Sequence, residues 1–171
     1  IDGGIPVFAA GNEYAGNPAF PGAYSKCVCV ASVAADYTPA CYTDYGTLVT
    51  LSAPGGDLEY YGKIGEEEDE YWAETAEQKG AVLSTLIQNG KPAYGYMEGT
   101  SMACPHVSGV AALGLAYAVK LHRHYRAADF VSLMKKAVKN LDGYYGNGAT
   151  KIYYMNHTTV GASPEIVNLS K

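Results

Sequence analysis

The chain has 171 residues, a length for one domain, and 48% of them are apolar against 17% charged, which excludes a disordered chain. The formal net charge is −5, and no basic stripe alternates with aromatics, so nothing supports a nucleic-acid partner. No apolar run reaches membrane-spanning length in this reading, and Ile1-Asp2-Gly3-Gly4 lacks the pattern of a signal peptide. The chain is therefore expected to begin in mid-protein or after processing. Cysteines stand at 27, 29, 41 and 104, with no zinc-ligand spacing. Cys27 and Cys29 fall on one face of a strand and cannot readily bridge each other, so buried free thiols are expected.

In chain order, Ile5-Pro6-Val7-Phe8-Ala9-Ala10 is short and apolar and runs into Gly11-Asn12. That is the pattern of a buried strand entering a turn. The turn formers of Asn17-Pro18-Ala19-Phe20-Pro21-Gly22 mark a loop. Cys27 to Val33 predicts a second buried strand. Thr47 to Ser52, ended by Ala53-Pro54-Gly55-Gly56, predicts a third, and Gly80 to Ile87 a fourth. A helix is predicted from about Ser101 to Leu121, apolar nearly all round and hence central, with Pro105 in its first turn. A second helix is predicted over Ala127 to Asn140. It would bury Phe130, Met134, Ala137, Val138 and Leu141 and turn Lys135, Lys136 and Lys139 to water. Lys151-Ile152-Tyr153-Tyr154-Met155 reads as a last edge strand. Buried strands alternating with helices give an α/β layer structure with a mostly parallel sheet.

The chemistry is concentrated in Gly99-Thr100-Ser101-Met102-Ala103-Cys104-Pro105-His106-Val107-Ser108-Gly109. Ser101 stands at a helix N-terminus, where free N–H groups and the helix dipole favour negative charge. These are conditions for a nucleophile that generates an oxyanion. Alone, Ser101 reads equally as a helix cap. A second marker is Val7-Phe8-Ala9-Ala10-Gly11-Asn12-Glu13, a strand delivering an amide side chain.

Together these stretches resemble the subtilisin-like serine proteases (subtilases). Phe20-Pro21-Gly22-Ala23-Tyr24, Tyr42-Thr43-Asp44-Tyr45-Gly46 and Leu51-Ser52-Ala53-Pro54-Gly55 resemble further segments of that family, so the likeness covers about 5–56 and 80–145. The resemblance implies a parallel sheet with helices on both faces, incomplete at its N-terminal side. It implies peptide-bond hydrolysis through an acyl-enzyme on Ser101, with Asn12 and the Ser101 N–H holding the oxyanion. Ala9, Ala10 and Gly11 would wall the specificity pocket, and Gly99 and Thr100 would border the substrate. Backbone carbonyls of Tyr24 and Cys27 match those that hold a weak cation in the family. The chemistry needs no cofactor; a structural calcium or other cation is compatible with the resemblance. The substrate would be a polypeptide, and the location extracellular or at the cell surface.

Two departures stand out. The family mechanism also needs an aspartate and a histidine in the chain order Asp, His, Ser. Here His106, His122, His124 and His157 all follow Ser101, and Asp2 and Asp36 match no triad motif. His106 lies about 140° round the helix from Ser101 and is poorly placed to take its proton. The chain is therefore expected to be the C-terminal part of a catalytic domain, with Asp and His supplied by an N-terminal remainder. Alone it is expected to be inactive and to self-associate through uncovered surfaces. The alternative is a non-catalytic binding or scaffold domain; a hydrolase using another base finds no histidine to serve it. Secondly, Asp57 to Glu77 holds nine acids and one base. Residues 57–79 read as an insertion forming a solvated loop, with a calcium-binding or substrate-steering loop as the other reading. Asn156-His157-Thr158 and Asn168-Leu169-Ser170 fit glycosylation sequons.

Overall fold

Strand β2, Val28–Val33, is buried at all six positions, as an unbroken apolar run demands when both faces of a strand are covered. A computed structural model describes residues 3–35, 37–58, 80–139 and 141, with the backbone of 150–153 and 158–161. Strands β1, Val7–Ala9, and β3, Leu51–Pro54, flank β2 in parallel, with Val7 opposite Val28 and Val30 opposite Leu51. Val28 and Val30 meet Leu51, Ala53, Ala103 and Val107 on one face. Cys29, Ala31 and Val33 meet Ala10 and Leu141 on the other. The third strand starts later than the expected Thr47 and runs through Pro54. Gly46, at φ 117°, turns the chain first, and Val49 N–H closes that turn on the Gly46 carbonyl. Pro54 has no N–H to lose at the end of an edge strand.

The one polar side chain of β2 is satisfied internally. Ser32 Oγ bonds the Tyr42 hydroxyl at 2.9 Å, and Tyr42 donates to the Gly56 carbonyl at 2.6 Å. Burial raises the Tyr42 hydroxyl above its ordinary range, so it stays a donor. All four cysteines are free thiols; only Cys29 is fully buried and the others are half-buried.

Strands β4, Val82–Gln88, and β5, Lys91–Met97, form an antiparallel ribbon. The second strand went unseen in the sequence because Pro92 and Gly95 interrupt its pattern. Asn89-Gly90 is nevertheless a type I′ turn signal, and both residues have positive φ (53° and 74°). β5 runs directly into helix α1, Thr100–Lys120, which packs on β1, β2 and β3. Pro105 is the sixth residue of α1, one turn deeper than expected, and leaves the Ser101 carbonyl without its helical donor. α1 is long and apolar enough to cross a membrane by length and composition, which corrects the sequence reading. Ser101, His106 and Ser108 break the apolar run, which holds no Asp, Glu, Lys or Arg before Lys120. Its packing on three strands is that of a core helix, yet Val110, Leu113, Tyr117 and Val119 are each more than 60% exposed.

Helix α2, Ala127–Lys136, lies on the same sheet face as α1, with Val131 and Met134 against that core. It ends before the expected Asn140. Leu141 therefore leaves the helix and packs on the opposite sheet face, and Lys139, exposed as expected, sits over the Tyr37 ring at 4.4 Å. Residues 150–153 and 158–161 form an antiparallel pair, β6 and β7. Asp2, Asp36, His157, Asn156, Asn168 and the acidic run 66–70 lie outside the described residues. Asp57, counted with that acidic run, is fully buried: its Oδ2 accepts the Cys41 N–H at 2.9 Å, and its own N–H donates to the Gly80 carbonyl.

Gly55 has no room for a side chain. A Cβ there would overlap Ser32 Oγ and stand 2.6 Å from the Gly99 carbonyl. Gly55→Ala should destabilise by about 1–3 kcal/mol through overpacking. Gly4→Ala meets open space and should change stability by less than about 1 kcal/mol. Urea-denaturation midpoints of the two variants check this; equal midpoints would refute it.

Candidate active site

Gly99 has φ 144°, a backbone that side chains disfavour. Its N–H donates to the Gly55 carbonyl, and its own carbonyl accepts the N–H groups of Met102 at 2.9 Å and Ala103 at 3.2 Å. α1 thus starts with the N–H groups of Thr100 and Ser101 free of helical acceptors. Thr100 turns both its donors on one atom: its N–H and its hydroxyl donate to Asn12 Oδ1 at 2.9 and 2.8 Å. The Gly11 N–H in turn donates to the Thr100 hydroxyl oxygen at 3.3 Å. With Oδ1 so engaged, the Asn12 amide has one orientation, and Nδ2 is its outward end. Nδ2 and the Ser101 backbone nitrogen each lie 3.7 Å from the point a Cβ on Gly99 would occupy. Two N–H donors therefore stand near one point, with Met102 Sδ also 3.7 Å from it, and Ser101 is exposed. The point itself is one bond length from Gly99 Cα, so it marks how near the two donors come to each other and not where an oxygen would sit.

The turn before Asn12 is tied from below. Asp44 is 1% exposed, and its Oδ1 accepts the N–H groups of Glu13 at 3.0 Å and Ala15 at 2.8 Å. Its own N–H donates to the Gly11 carbonyl at 3.0 Å. Burial raises the Asp44 carboxyl above the usual carboxylate range, and the neighbouring Glu13 carboxyl adds to this. Gly11, at φ 121°, is required here, since a Cβ would overlap Asp44 Oδ2. Sequence reading quoted Asp44 within a motif but gave it no role.

Several expected site residues are placed differently. Thr100 is 1% exposed and braces Asn12 instead of bordering a substrate. Ala10 is fully buried in the core with Cys29 and Ala31, so its side chain walls no pocket; Ala9 and Gly11 are half-buried. The Tyr24 carbonyl accepts the Cys27 N–H at 2.9 Å. That carbonyl keeps one lone pair, and no cluster of three His, Cys, Asp or Glu side chains occurs among the described residues. His106 Nδ1–H donates to the Met102 carbonyl at 2.8 Å, and no described histidine bonds Ser101.

The family model of the subtilases matches residues 2–148. The chain belongs to the subtilase family. This subtilase chain is 36% identical over 112 residues to halolysin of Haloferax mediterranei, covering 66% of the chain and 17% of halolysin. It is 28% identical over 147 residues to an extracellular basic protease of Dichelobacter nodosus, covering 85% of the chain and 21% of that protein. A solved protease structure from Pseudoalteromonas arctica superposes with a TM-score of 0.62 at 32% identity, over 81% of the chain and 37% of that structure. The subtilase chain thus spans about a fifth of these two curated relatives.

The brace on Asn12 generates a prediction. Thr100→Val removes the hydroxyl but keeps the backbone N–H, so the amide is held by one donor. In the full-length subtilase, kcat should fall about tenfold with KM little changed, and Thr100→Ser should restore it. A KM effect alone would assign Thr100 to substrate binding.

Proposed function

We propose that this chain carries the nucleophile and oxyanion half of a serine endopeptidase. Ser101 attacks the scissile carbonyl and forms the acyl-enzyme. Asn12 Nδ2 and the Ser101 N–H receive the charge that develops on the carbonyl oxygen. These donors help only as that charge grows, so they speed the reaction without tightening substrate binding. Ala9 and Gly11 border the substrate. The single observation that carries this reading is the convergence of Nδ2 and the Ser101 nitrogen at Gly99.

The general base and its orienting acid come from an N-terminal segment of the same catalytic domain, of which residues 1–171 are the C-terminal portion with an insertion at about 57–79. Support comes from the share of the relatives that the chain spans and from the Ser101 hydroxyl, which among the described residues has no hydrogen-bonded base. The exposed face of α1 supports the same reading: that segment, or a second copy, covers it. The substrate is a polypeptide and the location extracellular, as the name of the Dichelobacter nodosus relative suggests. The unbonded Ser101 also favours a second reading, a non-catalytic domain that binds peptides.

Labelling with a fluorophosphonate separates the two. The 171-residue chain alone should label slowly, because a serine hydroxyl is a poor nucleophile without a base. Adding the upstream segment should give fast, stoichiometric labelling of Ser101. Fast labelling of the chain alone would overturn the split of the triad, and no labelling with the segment present would favour the binding domain. Asn12→Ala in the active protein should lower kcat by about 10²–10³, the size this donor has in subtilisin.

A further inference from the structure

We propose that Tyr42 is a positioning residue that sets the spacing between the Asn12 loop and the serine turn. The inference rests on the catalytic reading above. Tyr42 bonds the supports of both. Its carbonyl accepts the Tyr14 N–H at 2.8 Å, two residues past Asn12. Its hydroxyl donates to the Gly56 carbonyl at 2.6 Å, with the Gly55 carbonyl 3.0 Å from the same oxygen. The Gly55 carbonyl also accepts the Gly99 N–H at 2.9 Å. α1 starts directly after Gly99, so a shift of Gly55 moves the Thr100 and Ser101 N–H groups.

The direction of these bonds follows from one proton. A phenol has a single O–H. Given to the carbonyls, it leaves Tyr42 Oη to accept from Ser32 Oγ at 2.9 Å. Ser32 is fully buried in β2, the strand paired on both edges. Its N–H donates to Thr43 Oγ1 at 2.9 Å, and its carbonyl accepts the Ala40 N–H at 3.0 Å. The segment that carries Tyr42 is therefore tied to β2 on both sides of it. The bonds run from the middle strand of the sheet, through one hydroxyl, to the carbonyls that seat the serine turn. At the far end the backbones touch: a Cβ on Gly55 would stand 2.6 Å from the Gly99 carbonyl, so movement of Gly55 passes to Gly99.

The test uses the full-length protein. Tyr42→Phe deletes the hydroxyl and keeps the ring and the backbone bond to Tyr14. It also leaves the Ser32 hydroxyl buried without its acceptor, which lowers stability by itself. Combining Tyr42→Phe with Ser32→Ala removes that orphan. In both variants kcat should fall about tenfold with KM little changed, while the double variant regains melting temperature that Tyr42→Phe loses. Hydrogen exchange reads the same effect without turnover. The Gly99 and Thr100 amides should exchange about tenfold faster in both variants, measured against the amides of α2. Recovery of kcat in the double variant would reduce Tyr42 to a partner for Ser32 and overturn the proposal. A change in KM alone, or unchanged exchange at Gly99, would overturn it too. If Tyr42→Phe does not fold, the double variant decides. A protein with no turnover in any form would defeat the catalytic reading alone, since the exchange rates decide whether Tyr42 holds the turn.

Discussion

The Asn12 side-chain oxygen is the atom on which the site depends. It takes two donors from Thr100, 88 residues away in sequence, and so joins the end of β1 to the start of α1. Neither partner could hold the geometry alone. A glutamine-like freedom at Asn12 would let the amide rotate, and an unbraced helix start would point its N–H groups at water. The buried Thr100 hydroxyl accepts from the Gly11 N–H while donating to Oδ1, so the same group fixes both backbone and side chain. Neutral hydrogen bonds of this kind each contribute only about 1 kcal/mol to stability. Their larger effect is on orientation, which is set before any substrate arrives.

That constraint explains why the surrounding loops are rich in glycine. Gly11, Gly55 and Gly99 each stand where a side chain would meet another loop of the site. Gly99 lies near both Asn12 Nδ2 and the Ser101 nitrogen, and Gly55 lets the β3 end approach the Gly99 carbonyl. Three chain crossings are thus packed within the thickness of a backbone. The parallel sheet supplies the rigidity for this, since β2 is clamped on both edges and both faces.

Much of this was legible in the sequence, and unevenly so. The buried strand at 28–33, the half-buried one at 7–9 and the helix at 100–120 follow from apolar runs, and the Gly99–Gly109 stretch pointed to Ser101 as the candidate nucleophile. Asn12 was legible through its place after a strand. Thr100 was expected at the substrate border from the resemblance alone, and burial shows that its side chain faces inward to Asn12 and Gly11. Asp44 and Asp57 carried no local signal: burial of a carboxylate depends on N–H groups contributed by distant loops. The end of α2 was overextended because Leu141 keeps the helical spacing while serving the opposite core. β5 was missed although Asn89-Gly90 announced it, since Pro92 and Gly95 outweighed the turn.

The bond between the Asp57 N–H and the Gly80 carbonyl closes the base of everything between them. The 22 residues from 58 to 79 leave and return at one point. Glu98, just before the serine turn, holds the Leu58 N–H at the same neck. Chain-closure entropy grows slowly with length, by about 0.6 kcal/mol per doubling. A scaffold with such a stapled gateway tolerates changes in the size and charge of what it displays there. Changes between 59 and 79 that leave this neck intact should therefore spare the sheet and the serine turn.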